Sequence, residues 1–214
     1  MVWAIVVAAG AGTRFGAQKQ FLMLGGRSIA ARSIDACRSV ADHVVLVVPA
    51  ERLHGDLPDD LEADLVVAGG ATRAQSVRAG LAAVPSDVDI IVVHDAARPL
   101  ASAELFHAAV AAVRDGADAA ICATPVTDTI KRVERSLGRT FVKETLDRDA
   151  LVAVQTPQAF NARVLRSAHG GGGEATDDAA LVEALGHTVV IVEGNVANVK
   201  ITTPDDLDRL EGPR

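Results

Sequence analysis

Short runs rich in Val and Ile recur along the chain at residues 3–8, 44–48, 65–67, 90–94, 119–123 and 189–192, and Ala-rich amphipathic stretches separate most of them. Runs this apolar and this brief suit strands covered on both faces, which is the condition inside a parallel sheet flanked by helices. Strands alternating with helices therefore predict an α/β fold: a Rossmann-like, mostly parallel sheet with helices on both faces. The clearest helical stretches are 28–38, 73–84, 103–114 and 177–185. A last helix is predicted from Thr203, which supplies a cap, with Pro204 in the first turn and Asp205 and Asp206 at the positive helix end. Because 49% of the residues are hydrophobic and only 3% aromatic, Ala, Val, Leu and Ile must fill the core.

One stretch breaks the alternation. Between about 126 and 151 there is no long helical pattern, and β-type runs at 129–133 and 140–145 flank the turn-like Ser136-Leu137-Gly138-Arg139. This reads as a β-arm projecting from the sheet; the alternative is an ordinary hairpin on the sheet edge, where strands need cover. Residues 170–173, all glycine, read as a flexible loop. With no internal repeat or domain-scale linker, the expectation is a single domain over 1–214 that includes the arm.

The net charge of −7 argues against a nonspecific nucleic-acid binder or an anionic-membrane binder, since the whole-protein field repels both polyanions. Cys37 and Cys122 share no metal-type spacing and read as reduced core thiols, from which a cytoplasmic location is expected. Residues 2–11 lack a basic flank and read as a first strand, not a signal peptide. No run reaches the apolar length a transmembrane helix requires.

Four segments carry chemistry. In the first, the strand through Val6 and Val7 runs into Ala8-Ala9-Gly10-Ala11-Gly12-Thr13-Arg14-Phe15-Gly16, where small residues let backbone N–H groups approach phosphate oxygens. The glycine spacing also suits a dinucleotide site, and an NAD(P)-binding oxidoreductase is the reading from a different class. That reading needs an acid at the end of the second strand, and the 44–48 run ends in Pro49-Ala50. Arg14 and Lys19 place two cations just past the loop, as a triphosphate requires; both types are also common as solvated surface charges.

The second segment, His94-Asp95-Ala96-Ala97-Arg98-Pro99, sits at the carboxyl end of a strand, where open α/β sheets bind ligands. Asp95 suits a metal or a hydroxyl and Arg98 a phosphate, although together they also suit a structural ion pair. His94 reads as a hydrogen-bonded, partly buried histidine without a proton-transfer role. Third, Gly69-Gly70-Ala71-Thr72-Arg73-Ala74-Gln75-Ser76 opens a helix with Arg73 and Ser76 in its first turn. Fourth, Asn198-Val199-Lys200-Ile201-Thr202 delivers a lysine into an apolar strand-like run, where it either alternates to solvent or meets an anion.

In this order, together with Lys19-Gln20, Asp128-Thr129-Ile130-Lys131, Gln155-Thr156-Pro157-Gln158 and Thr176-Asp177-Asp178-Ala179, these blocks resemble the 2-C-methyl-D-erythritol 4-phosphate cytidylyltransferases of the non-mevalonate isoprenoid pathway. The resemblance runs from about Val6 to Leu207. It implies a nucleotidyltransferase fold and a Mg²⁺-dependent enzyme that joins CTP to a polyol phosphate and releases pyrophosphate. Arg14 and Lys19 resemble the family's triphosphate-gripping pair, and Ala8, Ala9, Gly10, Gly12, Gly70 and Ser76 its nucleotide-binding positions. Asp95, Ala96, Arg98, Thr129, Thr156, Thr176 and Lys200 are similar to residues lining the methylerythritol phosphate pocket, with Asp95 also near the metal. Arg148 resembles an arm residue that reaches the partner subunit's substrate, which implies a homodimer through the arm. The chain departs from the family pattern in having Gln18 where a proline usually precedes the lysine, and a short link at 15–17. The nearest rival is ribitol-5-phosphate cytidylyltransferase, which shares most blocks; a catalytically silent nucleotide-binding regulator is more distant.

Overall fold

The computed structural model describes residues 1–10, 12 and 15–211. In chain order the elements are β1 (Val2–Val7), β2 (Met23–Leu24), β3 (Arg27–Ser28), α1 (Ile29–Cys37), β4 (His43–Val48), β5 (Leu65–Ala68), α2 (Arg73–Ala83), β6 (Ile90–Asp95), α3 (Ala103–Arg114), β7 (Ala119–Pro125), β8 (Lys131–Ser136), β9 (Arg139–Thr145), β10 (Val152–Asn161), α4 (Ala162–Gly170), α5 (Asp178–Ala184), β11 (Val189–Glu193) and α6 (Pro204–Glu211). Every one of the six apolar runs is a strand of one seven-stranded sheet, ordered β11-β7-β10-β6-β1-β4-β5. Its strands pair in parallel except β10, which runs antiparallel to both β6 and β7.

Alternation along each strand sends successive side chains to opposite faces, and both faces are buried. Ala4, Val6, Leu46 and Val92 pack with Ile34 of α1 and Phe106 of α3 on one side. Ile5, Val45, Val47 and Val93 pack with Val77 of α2, Leu165 of α4 and Val182 of α5 on the other. Phe106 and Phe160 are fully buried, and each contributes about 1.5–3 kcal/mol by leaving water. Side-chain caps start the helices: Ser28 Oγ accepts from the Ala31 amide at 3.2 Å, Thr72 Oγ1 from Gln75 at 3.1 Å, and Asp177 from Ala180 at 3.0 Å.

β8 and β9 form a separate two-stranded sheet whose residues are all exposed, so the stretch is an arm and not a strand added to the sheet edge. Leu137 (φ 50°) and Gly138 (φ 73°) turn the chain between them.

Three features were not anticipated. β10 threads between β6 and β7 through Gln155-Thr156-Pro157-Gln158, with a register shift between Val154 and Gln158. α4 runs up to Gly170, so the glycine loop starts one residue later than its composition implies. Lys200 lies in a loop and not a strand; the next amide, Ile201 N–H, donates to the Ala97 carbonyl at 2.8 Å. Among the described residues no helix is long and apolar enough to cross a membrane.

Candidate active site

β1 and β6 are neighbours in parallel register, Val7 opposite Asp95, so the loops after them open on the same edge of the sheet. On the β1 side, Gly12 has φ +65°, a left-handed conformation in which its carbonyl accepts from both Phe15 and Gly16 at 2.9 Å. The Gln20 amide reaches back to the carbonyls of Ala8 at 2.5 Å and Gly10 at 3.1 Å. That tie holds the short helical turn Lys19–Phe21 against the loop. The Lys19 ammonium lies 5.8 Å from the centre of the Phe15 ring, so the short link places it beside the loop. Arg14, the other expected triphosphate ligand, lies outside the described residues.

The start of α2 closes on this strand end. A Cβ at Gly69 would collide with Ala9 and come within 2.8 Å of Ser76 Oγ, so only glycine lets the turn approach β1. Ser76 Oγ donates to the Thr72 carbonyl at 2.9 Å and accepts from the Gly70 amide at 3.2 Å. Ala8, Ala9, Gly10, Gly70 and Ser76 thus come together.

On the β6 side, a cavity of about 270 Å³ is lined by Asp95, Arg98, Thr156, Thr176 and Lys200, all five named from the sequence, and also by Arg73 and Asp177. Lys200 Nζ meets Asp95 Oδ2 at 2.6 Å, which settles its orientation: it turns inward to an anion. Asp95 Oδ1 faces Arg73 Nε at 3.2 Å, and Arg73 Nη1 meets Asp178 Oδ2 at 2.7 Å. Asp178 Oδ1 in turn accepts from His169 Nε2 at 3.0 Å. The result is an alternating chain of charge from Lys200 through Asp95 and Arg73 to the buried Asp178. Burial alone would raise the Asp95 pKa, but the adjacent Arg73 and Lys200 charges outweigh it and hold the carboxyl well below the usual range. The same two carboxylates raise the pKa of Arg73 against its own desolvation.

Arg98 differs from the other two cations. Its Nη1 donates to the Asn198 carbonyl at 2.7 Å and its Nη2 to the Val154 carbonyl at 3.4 Å, while Nε is buried without a hydrogen-bond partner. Bonded to neutral carbonyls, its charge is the least compensated on the wall, as an anion site requires. His94 is fully buried, more so than expected; burial pulls its pKa down to about 4, so the imidazole is neutral. Ala96 is buried too, its amide donating to the Val7 carbonyl at 3.1 Å.

Thr129 and Arg148 sit apart from this cavity. Both are exposed at the base of the arm, and Arg148 Nη1 donates to the Thr127 carbonyl at 2.7 Å.

Arg73 is a site residue that neither the sequence pattern nor the family resemblance singles out. A cation in the first turn opposes the helix dipole, and that was the available signal that carboxylates hold it. Asp178 and His169 gave no such signal.

The donor set does not fit a magnesium ion held by the protein at Asp95. Both oxygens already face cations, and no cluster of three or more His, Cys, Asp or Glu suited to a metal occurs among the described residues.

A sequence model of the 2-C-methyl-D-erythritol 4-phosphate cytidylyltransferase (IspD) family matches residues 2–212. The chain is 46% identical over 229 residues to a "Bifunctional enzyme IspD/IspF" of Anaeromyxobacter dehalogenans, covering 98% of this chain and 57% of that protein. It is 46% identical over 214 residues to the 2-C-methyl-D-erythritol 4-phosphate cytidylyltransferase of Rhodococcus jostii, covering 96% of this chain and 92% of that one. The chain thus spans little more than half the length of the bifunctional relatives it matches. The crystal structure of the cytidylyltransferase from Thermus thermophilus superposes with a TM-score of 0.81 at 34% identity, over 97% of this chain and 96% of that one.

Proposed function

Because the chain belongs to the 2-C-methyl-D-erythritol 4-phosphate cytidylyltransferase (IspD) family, we propose that it transfers the cytidylyl group of CTP to 2-C-methyl-D-erythritol 4-phosphate. The products are 4-diphosphocytidyl-2-C-methyl-D-erythritol and pyrophosphate, and the step belongs to isoprenoid precursor synthesis. The observation that carries this reading is the meeting of Arg73, Arg98 and Lys200 on one cavity beside a strand end built of Ala and Gly. Family membership sets aside the dinucleotide alternative.

In this mechanism a phosphate oxygen of the polyol phosphate attacks the α-phosphorus of CTP. The bond from that phosphorus to the bridging oxygen breaks, and its electron pair leaves with pyrophosphate. A phosphate dianion is already a nucleophile, so no general base is required, and the buried, neutral His94 is not asked to be one. What the residues must do is hold two anions together and meet the charge that gathers on the transferring group. We assign the nucleotide to Ala8, Ala9, Gly10, Gly12, Gly70 and Ser76, and its triphosphate to Arg14 and Lys19. Asp95, Arg98, Thr156, Thr176 and Lys200 line the polyol phosphate site, while Ala96, buried behind Asp95, does not reach the cavity and only helps to shape the turn. Magnesium that arrives on the CTP phosphates needs no protein cage.

We assign Thr129 and Arg148 to the neighbouring subunit's site in a homodimer formed through the arm. The exposed Val133, Phe141 and Val142 on β8 and β9 support a partner there, since apolar side chains on a two-stranded ribbon gain by being covered. A cytoplasmic location fits the free, buried thiols Cys37 and Cys122.

The test is pyrophosphate release from CTP and Mg²⁺ with 2-C-methyl-D-erythritol 4-phosphate and ribitol 5-phosphate offered separately. Release with the first alone is expected. Release with ribitol 5-phosphate alone, or with neither, refutes the assignment.

A further inference from the structure

We propose that His94 is a positioning residue that makes Thr156 a hydrogen-bond acceptor toward the cavity, so that the polyol phosphate turns a hydroxyl, and not its phosphate, to Thr156. The inference rests on the proposed cytidylyl transfer and names which part of its acceptor substrate faces one wall.

The argument follows the protons. His94 Nε2 lies 3.2 Å from the Arg98 carbonyl oxygen, which has no proton to give, so Nε2 carries the hydrogen. The other neutral tautomer would set a bare lone pair against that oxygen. The ring is fully buried, at a centroid distance of 5.0 Å from Phe106, and that burial, aided by the nearby Arg98 and Lys200 charges, outweighs the adjacent Asp95 carboxylate and keeps off a second proton. Nδ1 is therefore a bare acceptor.

Thr156 Oγ1, 3.1 Å away, must donate to it. The same oxygen accepts from the Asp95 amide at 3.0 Å. A hydroxyl has one proton and two lone pairs. With the proton held by His94 and one lone pair by Asp95, Thr156 has a single lone pair left for anything in the cavity it lines. A phosphate oxygen set against it would meet lone pair with lone pair, whereas a hydroxyl donates into it. Phosphate falls instead to Arg98 and Lys200 on the same wall.

The experiment uses the full chain with CTP, Mg²⁺ and the parent polyol phosphate. Alongside it go analogues in which each hydroxyl in turn becomes hydrogen or fluorine, neither of which donates. KM and kcat are read by pyrophosphate release for the native chain and for Thr156→Val. One position is expected at which both replacements raise KM roughly tenfold with a smaller change in kcat, and that penalty should vanish in Thr156→Val. His94→Leu, which frees the Thr156 proton, should weaken the same penalty and leave the KM for CTP unchanged. His94→Asn, which keeps an acceptor near the Nδ1 position, should restore it. If His94→Leu does not fold, the analogue series on the native chain and Thr156→Val still decides. Fluorinated analogues that all match the parent, or a penalty that persists in Thr156→Val, would overturn the inference alone. No turnover of the parent substrate would refute the proposed function and this inference with it.

Discussion

Replacing Arg73 with leucine removes the one cation shared by Asp95 and Asp178, whose side chains are 10% and 1% exposed. Breaking a buried pair by deleting one partner costs about 3–5 kcal/mol, because the remaining charge has been taken out of water. Asp95 keeps Lys200 and Asp178 keeps His169, so the low end applies, about 3 kcal/mol. For a chain of this size each kcal/mol moves Tm by about 2–4 °C, so a loss of roughly 6–12 °C is expected at neutral pH. The pH dependence is a second signature. The Asp95 pKa is lowered in the folded state from its ordinary 3.8, so its contribution is complete above that value and is lost as pH falls through the folded one. Arg73→Leu forfeits part of that contribution, and the stability gap between native and variant chains should narrow as the pH falls toward and below 3.8. Urea and thermal unfolding of both chains over a pH series measure it. An unchanged Tm at neutral pH, or a gap that stays constant into acid, would refute the charge-chain reasoning. Lys200→Met, at a side chain 41% exposed, should cost about 1 kcal/mol or less.

His94 supplies an acid-stability prediction. Burial lowers its folded pKa from 6.5 to about 4, so the unfolded chain takes up a proton that the native one refuses as the pH falls between those values. Stability should drop by up to roughly 3 kcal/mol across that interval, and a urea midpoint that stays flat there would contradict it. Lys19→Ala and Arg14→Ala should each lower kcat about a hundredfold by removing a preorganised donor to developing charge, and near-normal turnover in a folded variant would sink the role. Arg148→Ala and Lys200→Ala should mainly raise the KM for the polyol phosphate; affinity equal to the parent's would count against them.

Much of the sheet was legible because a strand buried on both faces announces itself locally as a Val/Ile run. β10 was not: its middle is Gln155-Thr156-Pro157-Gln158, polar and carrying a proline, with no Val/Ile run to announce a strand. Yet Gln155, Thr156 and Gln158 are all buried. They are hydrogen-bonded there by groups distant in sequence, including Asn198 to Gln155 at 3.2 Å and Asp177 to Gln158 at 3.0 Å. The end of α4 was off by one residue because Gly170, its last, belongs to the run of glycines. In the site, Asp95, Arg98 and Lys200 were nameable from their types and places in the chain, Thr156 and Thr176 only through the family resemblance, and all five share a cavity. Arg73 was only half legible, since what holds it at a helix start is Asp178, 105 residues away.

By itself, then, the amino-acid order determined the alternation of strands and helices, the two β-type runs within 126–151 and the small-residue strand end, because hydrophobic periodicity and backbone sterics act over a few neighbouring residues. Only the tertiary structure decided that the 126–151 stretch stands off the sheet as an arm, that Lys200 turns inward to Asp95, that Arg73 spans two carboxylates, and that of these three cavity cations Arg98 is the one bonded to neutral carbonyls. A charge taken out of water must find a partner, and which partner it finds depends on the order of strands in the sheet, which no local pattern specifies.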